Sequence, residues 1–578
     1  MALGTGSNSA EIALEERDLR PSGPPPSPAA ALDQSLSRLR EQAPALARLG
    51  PAERRALLLR IGQRFHELAP RLVALDCRAK GISLESSRAG EPGFDGPVII
   101  LRYIAELAST LSAEKGLIPA AEREEGGRRI VTALPRDGFE SVLFPGWSAE
   151  AWLAPDAPEG VARHPHELAR SEGEVALVLG AGNVPSIGVV DALQQCFVFG
   201  RAVIFKPSPV NAYLAPLLEL AFAPLVKAGW FAFAHGGPEV GAYLTEHPTI
   251  AAVHVTGSRE TFDAIVWGGA PAEASARKTR NEPLLQKTIT SELGNVSPAV
   301  VVPGRWEERE IEHAARSIAG SFTFNAGFNC NATKLVVTPR GWPLRERLLD
   351  AIARVLERTP TRLAYYPGAF EKYARFTSNL GRVQKLGAPR EGELAWAFVS
   401  ELEPSSDAPC FQNEPFCAVL SEVALPCLDP LEFLGEATHF LNERVWGTLN
   451  AMLLVPRAVS ADPVLASAVD NAIGKLRYGS VCVNLWPASA YGIGTLPWGG
   501  HPSDTLANVQ SGLGWGHNAL LLEGVEKGVM RAPLLPLIKP LWYADHRTLP
   551  QVASRFCDFS VAPSAWKVAR LAASALRG

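Results

Sequence analysis

The chain has 578 residues, 47% of them apolar and 20% charged, enough material for more than one packed core. A formal net charge of −4 gives no overall basic field for nucleic acid. Eight cysteines with neither CxxC spacing nor a neighbouring histidine cluster exclude a disulfide framework and point away from zinc.

Residues 1–34 are rich in Pro, Ser, Gly and Ala (PSGPPPSPAAA), a composition that cannot offset chain entropy by burial, so a disordered lead is expected. The lead carries acidic residues and no basic start followed by an apolar block, so neither a signal nor a transit peptide is expected, and the reading is cytoplasmic. From Leu32 to about Ala79 apolar residues recur at three- and four-residue spacing, with Pro51 placed where a helix can begin. A further helix is expected over 97–111 (PVIILRYIAELASTL). Residues 117–160 carry short β-type runs, RRIVTAL and FESVLF. From Glu174 the texture changes. EVALVLG and AVIFKPS read as buried strands, LAPLLELAFAPLVKAG as a helix and AAVHVTGS as a strand, the alternation of a doubly wound parallel sheet. A second α/β series runs from SPAVVVPG through ERLLDAIARVLER, CAVLSEVAL and AMLLVP, so a second lobe with its own sheet follows. No run approaches the ~20 apolar residues of a membrane span. The terminal APSAWKVARLAASALRG is a mildly basic amphipathic helix. It is expected to pack on its own protein or a neighbouring subunit, with contact at a membrane surface as the alternative.

Chemistry concentrates in four segments. Gly180-Ala181-Gly182-Asn183-Val184-Pro185 follows a strand, but Pro185 stands where a GxGxxG fingerprint has its third glycine. Lys206-Pro207-Ser208 ends the next strand. SELGNVSP carries Glu292, and FNAGFNCNATK carries Cys330 in a Gly- and Asn-rich turn whose N–H groups can face a developing oxyanion. Each residue also has a plain structural reading: a buried apolar cysteine, an Asn N-cap, a strand-end glutamate, a solvated lysine. The order of the segments decides between them. Together with HGGPEVGAYLTEHPTIAAVHVTGS, residues 442–448, Asn484 and SGLG at 511–514, they make the chain resemble the aldehyde dehydrogenase superfamily from about residue 35 to 515.

The resemblance implies an α/β fold with a Rossmann-type cofactor lobe (residues 35–116 and 161–292) and a β oligomerisation segment (117–160). A second α/β catalytic lobe (293–505) and a C-terminal oligomerisation segment with an extension (506–578) complete it. It implies oxidation of a small-molecule aldehyde with NAD or NADP, and no metal. Cys330 is then the nucleophile that forms a thioester, Asn183 and the Cys330 N–H the oxyanion donors, and Glu292 the base that activates water. Lys206 and Ser208 correspond to the adenosine-ribose end of the cofactor site, Gly257 and Ser258 to the pyrophosphate turn, and Glu414 and Phe416 to the nicotinamide end. A homodimer or homotetramer is implied, with Phe144, Trp147 and Trp152 available for an interface.

Three departures stand out. Pro209 replaces an acidic residue that favours NAD, which leaves NADP open. Phe262 replaces a glycine and is expected to narrow or shift the pyrophosphate turn. The GNVP form is closer to fatty acyl-CoA reductases of the same superfamily, so CoA as acyl acceptor is the main alternative, and a catalytically silent scaffold a second. Phe322, Phe324, Phe328 and Trp486 are expected near the substrate, which suggests an apolar aldehyde.

Overall fold

The computed structural model describes residues 23–112, 121–158, 162–169, 172–378 and 380–578. The expected disorder over 1–22 lies outside these residues. Over 29–34 the chain is already helical: the helix Ala29–Ala47 starts there and buries Leu32, Leu36 and Leu39 against the first sheet. Pro51 occupies the first turn of Pro51–Ala79, where its missing N–H costs nothing.

Strands β1 (Glu122–Glu125), β2 (Arg128–Leu134) and β3 (Ser148–Leu153) form an antiparallel meander. FESVLF, read as β-type, is instead the helix Gly138–Leu143. Asp137 accepts from the Glu140 N–H at 2.8 Å and caps it. Strands β4 (Val175–Leu179), β5 (Ala202–Lys206), β6 (Phe231–Phe233), β7 (Ile250–Gly257) and β8 (Thr288–Leu293) build the first sheet, all parallel. Its order, β6-β5-β4-β7-β8, reverses direction at β4, and the helix Pro185–Phe197 leaves β4 at that switch point, where open α/β sheets bind ligands.

The second sheet contains β9 (Pro298–Val301), β10 (Leu335–Pro339), β12 (Arg382–Leu386), β14 (Trp396–Leu402), β15 (Val419–Leu425), β16 (Asn450–Leu454) and β17 (Ser480–Val483). A two-stranded ribbon, β11 (Arg362–Leu363) with β13 (Glu393–Leu394), stands beside it. The two-residue strand β18 (Gly512–Leu513) returns to pair with β8 of the first sheet, and β19 (Val525–Arg531) inserts between β17 and β3. The 117–160 segment and the catalytic strands therefore share one eleven-stranded sheet within a single chain.

The aromatic residues expected at an interface pack internally. Phe144 and Trp147 stack on each other, Phe144 also meets Phe556 of the C-terminal extension, and Trp152 lies under Arg128 and Arg531. The terminal helix Ala565–Ala575 buries Val568 and Leu571 against its own chain. One helical run, Pro209–Ala228, is long and apolar enough by composition to cross a membrane. In the fold it is kinked at Asn211, and Leu214, Leu217, Phe222 and Leu225 pack in the core of the first lobe, each side chain worth about 1.5–3 kcal/mol in burial.

Candidate active site

All nine residues singled out in the sequence line one cleft of about 1170 Å³ between the two sheets. At its floor, Cys330 Sγ lies 3.4 Å from Glu292 Oε1. The two come from different lobes: Glu292 from the end of β8, Cys330 from the turn before β10. That turn is shaped by left-handed backbone at Asn325, Ala326 and Gly327, which asparagine and glycine tolerate well and alanine poorly. The Cys330 carbonyl accepts from Ser297 Oγ at 2.7 Å, which fixes the Cys330 backbone.

Asn183 sits where β4 gives way to its helix. It is not the N-cap, since that position belongs to Val184. Its side-chain amide donates to the Phe328 carbonyl at 2.9 Å, and its backbone carbonyl accepts from Lys80 Nζ, Asn325 Nδ2 and Tyr365 Oη at 3.1–3.2 Å. With the backbone fixed and one N–H given to Phe328, the amide keeps a second N–H. Two glycines make this turn possible. A Cβ on Gly182 would lie 2.5 Å from Ser208 Oγ, and one on Gly180 would lie 2.8 Å from the Phe205 ring. Gly188, one helical turn on, packs against Gly180 and supplies the close helix-to-strand approach that Pro185 cannot.

Burial sets the electrostatics. It pushes the Glu292 carboxyl up to about 7. Asp191 acts in the same direction, while Trp498, the Cys330 thiol and His254 pull the other way. Burial also pushes the Cys330 thiol well up, with the nearby Glu292 and Glu414 adding to it and the residue's own N–H opposing. Lys206, at the end of β5, is lowered by burial against the pull of Glu239. Ser208 accepts from the Val210 N–H, and Ser258 caps the helix Arg259–Val266 by accepting from Thr261 N–H at 3.2 Å. Glu414, half-buried and packed against Gly294, is pushed up to about 7 by desolvation while Lys334 and Lys372 pull it down, and its Oε1 has no protein partner. Phe416 stands beside it with left-handed backbone.

Two expectations are corrected. Phe262 does not narrow the cleft: it is fully buried with Val255, Val266 and Trp267 on the far side of its helix. Of the four aromatic residues expected near the substrate, Trp486 alone lines a cavity with Cys330. Phe322 packs edge-on against Trp396, Phe328 sits among Tyr365, Tyr366 and Phe416, and Phe324 lies behind Trp486.

Sequence reasoning missed several residues here. Asp191 and His254 pair at 3.2 Å beneath Glu292 although 63 residues separate them. His254 stands two residues before Thr256, the register partner of Glu292 in β7 and β8. A histidine in an otherwise apolar strand was the available signal. Asp95 and Tyr491, which border a second cavity on the far side of Cys330, carried no motif at all.

Residues 173–364 match the model of the aldehyde dehydrogenase family. Among curated proteins, 4-trimethylaminobutyraldehyde dehydrogenase A of Danio rerio is 27% identical over 267 residues, 45% of this chain and 47% of that protein. The match thus spans about half of that relative. N-succinylglutamate 5-semialdehyde dehydrogenase 1 of Caulobacter vibrioides is 25% identical over 388 residues, 63% of this chain and 78% of the relative. Among solved structures, aldehyde dehydrogenase C of Pseudomonas syringae, a cysteine-to-alanine mutant complexed with NAD+ and octanal, superposes with a TM-score of 0.60 at 16% identity. That superposition covers 88% of this chain and 90% of the other.

Proposed function

We propose that the chain is a member of the aldehyde dehydrogenase superfamily that oxidises an aldehyde to its carboxylic acid with NAD or NADP through Cys330 and Glu292. The observation that carries the reading is the 3.4 Å approach of Cys330 Sγ to Glu292 Oε1 at the floor of a cleft large enough for a dinucleotide. The residues along the cleft fit such a cofactor. The unpartnered Glu414 Oε1 is an acceptor for a ribose hydroxyl, and the N-terminus of the helix Arg259–Val266 suits a pyrophosphate. Lys206 and Ser208 would hold the adenosine ribose at the opposite end.

A thiol this far above its ordinary range needs a base to become a nucleophile, and Glu292 at about 7 is in place to take its proton. The thiolate adds to the aldehyde carbon, and the oxygen that turns anionic is met by the Cys330 N–H and the second N–H of Asn183. When bound, the nicotinamide supplies the acceptor for the hydride that leaves the adduct and makes it a thioester. Glu292 passes the thiol proton to solvent, then takes a proton from water as the hydroxide oxygen bonds to the thioester carbon, and Cys330 departs as thiolate with release of the acid. A base already beside the nucleophile favours water over CoA as acyl acceptor. By resemblance the enzyme is a cytoplasmic homodimer or homotetramer. Because β3 makes its strand pairs within the chain, that assembly uses surfaces other than this strand. A monomer mass in light scattering would overturn it.

The test is formation of reduced nicotinamide with a panel of aldehydes, each cofactor, and CoA present or absent. We expect turnover without CoA, and its loss in Cys330→Ala. Strict dependence on CoA, or unchanged turnover in Cys330→Ala, refutes the reading.

A further inference from the structure

Behind Cys330, away from the cofactor cleft, lies a cavity of about 40 Å³, space for roughly three waters. Cys330, Glu292 and Asn183 form its inner wall, so the substituent of an aldehyde attacked by Cys330 has this space to occupy. Ile99, Ile187 and Trp486 give it apolar sides. Polar side chains interrupt them: Asp95 Oδ2 and Asn331 Oδ1 are buried without a protein partner, and the buried Tyr491 hydroxyl has Ser186 beside it. Buried polar atoms are almost always paired, so two orphans beside one small cavity next to Cys330 point to a ligand that pairs them.

Asp95 is the most informative of the three. It sits on a five-residue π-helical turn, Phe94–Val98, a conformation that is rare and concentrated at functional sites. The cations around it are already committed. Lys80 pairs with Asp76 at 2.9 Å and donates to the Asn183 carbonyl, while Arg88 and Arg362 both pair with Glu91. Left without a counter-ion, the Asp95 carboxyl is pushed up to about 8, first by burial. Glu91 and Asp76 act in the same direction, and Lys80 and Arg362 oppose them. At neutral pH the acid therefore keeps its proton and is a hydrogen-bond donor.

We propose that Asp95, with Tyr491 and Asn331, selects a short aldehyde that bears a hydroxyl group on its chain. A hydroxyl both accepts and donates, so it can receive the Asp95 proton while giving its own to Asn331 Oδ1. An alkyl chain would leave Asp95 and Asn331 unpaired, and an ammonium could pair with Asp95 as a carboxylate only by displacing its proton. The cavity admits about three heavy atoms beyond the carbonyl. The inference rests on the aldehyde-oxidising reading and narrows it from the apolar substrates suggested by the sequence.

The test compares kcat/KM for 3-hydroxypropanal, propanal and 3-aminopropanal. In the wild type we expect 3-hydroxypropanal to be preferred over propanal by ~100-fold or more, since a site built to pair a hydroxyl rejects the analogue without it. Asp95→Leu is expected to bring that ratio near one, and the isosteric Asp95→Asn to keep most of it. Tyr491→Phe, which leaves the ring stacked on His517 at 3.8 Å, is expected to reduce the ratio in a chain whose packing is unchanged. No preference in the wild type, a ratio unaffected by both Asp95→Leu and Tyr491→Phe, or a preference for the amine overturns the proposal while leaving aldehyde oxidation intact. Should the wild type oxidise none of the three, calorimetric titration with 1,3-propanediol and 1-propanol reads the cavity directly. An Asp95-dependent preference for the diol supports the inference, and equal binding overturns it.

Discussion

Glu292 works in a surrounding of fixed charges and dipoles contributed by five elements. Asp191 faces it from the helix Pro185–Phe197, His254 from β7, Cys330 from the turn before β10, Tyr491 from the helix Ala488–Gly492, and Trp498 from the loop beyond. With Glu292 at about 7, its carboxylate form grows as pH rises through that value. The rate of thioester hydrolysis is therefore expected to climb from pH 6 to 8 and to lose this limb in Glu292→Gln, with hydrolysis slowed about 10²–10⁴-fold. In that variant a slowed burst of reduced cofactor, measured by stopped flow, is expected from its part in thiol activation; a burst at full rate would confine Glu292 to hydrolysis, and an undiminished steady state would remove it from the mechanism. Its neighbours give a signed check. Burial works against a charged His254 and Asp191 outweighs it, raising the imidazole above its ordinary range; His254 lowers Glu292, and Asp191 raises it. His254→Gln should shift the acid limb of the pH–rate profile up by about one unit, and Asp191→Asn should shift it down. Equal shifts of one sign would show a general disturbance. Cys330, Glu292 and Asn183 were legible in the sequence because each sits in a short segment whose order is distinctive. The Asp191–His254 pair was not, because strand register alone brings it to Glu292.

At the scale of elements, the strand-to-helix turn after β4 is legible in outline and not in detail. The sequence places two glycines and an asparagine directly after a strand, and that much holds. The missing third glycine is supplied by Gly188, three residues beyond the pattern, where close approach to Gly180 is needed. Phe262 misleads for a related reason. Position in a motif does not fix the direction of a side chain: a helix turns successive residues by 100°, and this ring faces the core. FESVLF is ambiguous because its apolar content suits either period, and the Asp137 cap decides for helix. The turn after β5 carries a prediction on cofactor choice. Pro209 lines the cleft beside Lys206 and Ser208 without an acidic side chain. In Pro209→Glu, the added carboxylate would repel a 2′-phosphate and accept from a 2′-hydroxyl. The ratio of kcat/KM for NAD over NADP is expected to rise ~10-fold or more. A ratio unchanged between the two enzymes would place the adenosine ribose elsewhere.

At the scale of the whole molecule, the reacting pair spans two sheets, so its 3.4 Å separation depends on how the lobes are held together. β18 performs part of that task. It follows the second lobe in sequence yet pairs with β8, with Gly512 opposite Glu292. Asp504 fixes the segment by accepting from the N–H groups of Gln510, Ser511 and Gly512. A second constraint comes from the C-terminal extension, whose placement had no signal in the sequence beyond an amphipathic pattern. Its helix Leu549–Val561 packs onto the segment 90–98, where Gly90 and Gly93 leave room for Leu549 and Ala553, and so braces the π-helical turn that carries Asp95. Phe556 anchors this contact, buried between Phe144, Phe559 and the Arg102 guanidinium. Phe556→Ala is expected to cost about 3–5 kcal/mol, read as a shift of the first urea transition. If the brace positions the substrate end of the site, conditions that keep the variant folded should still show kcat/KM for the aldehyde falling more than the dissociation constant for NAD or NADP rises. No residue of this helix lines the large cleft. Equal losses in both would mean that the extension stabilises the chain as a whole and has no particular hold on the substrate cavity.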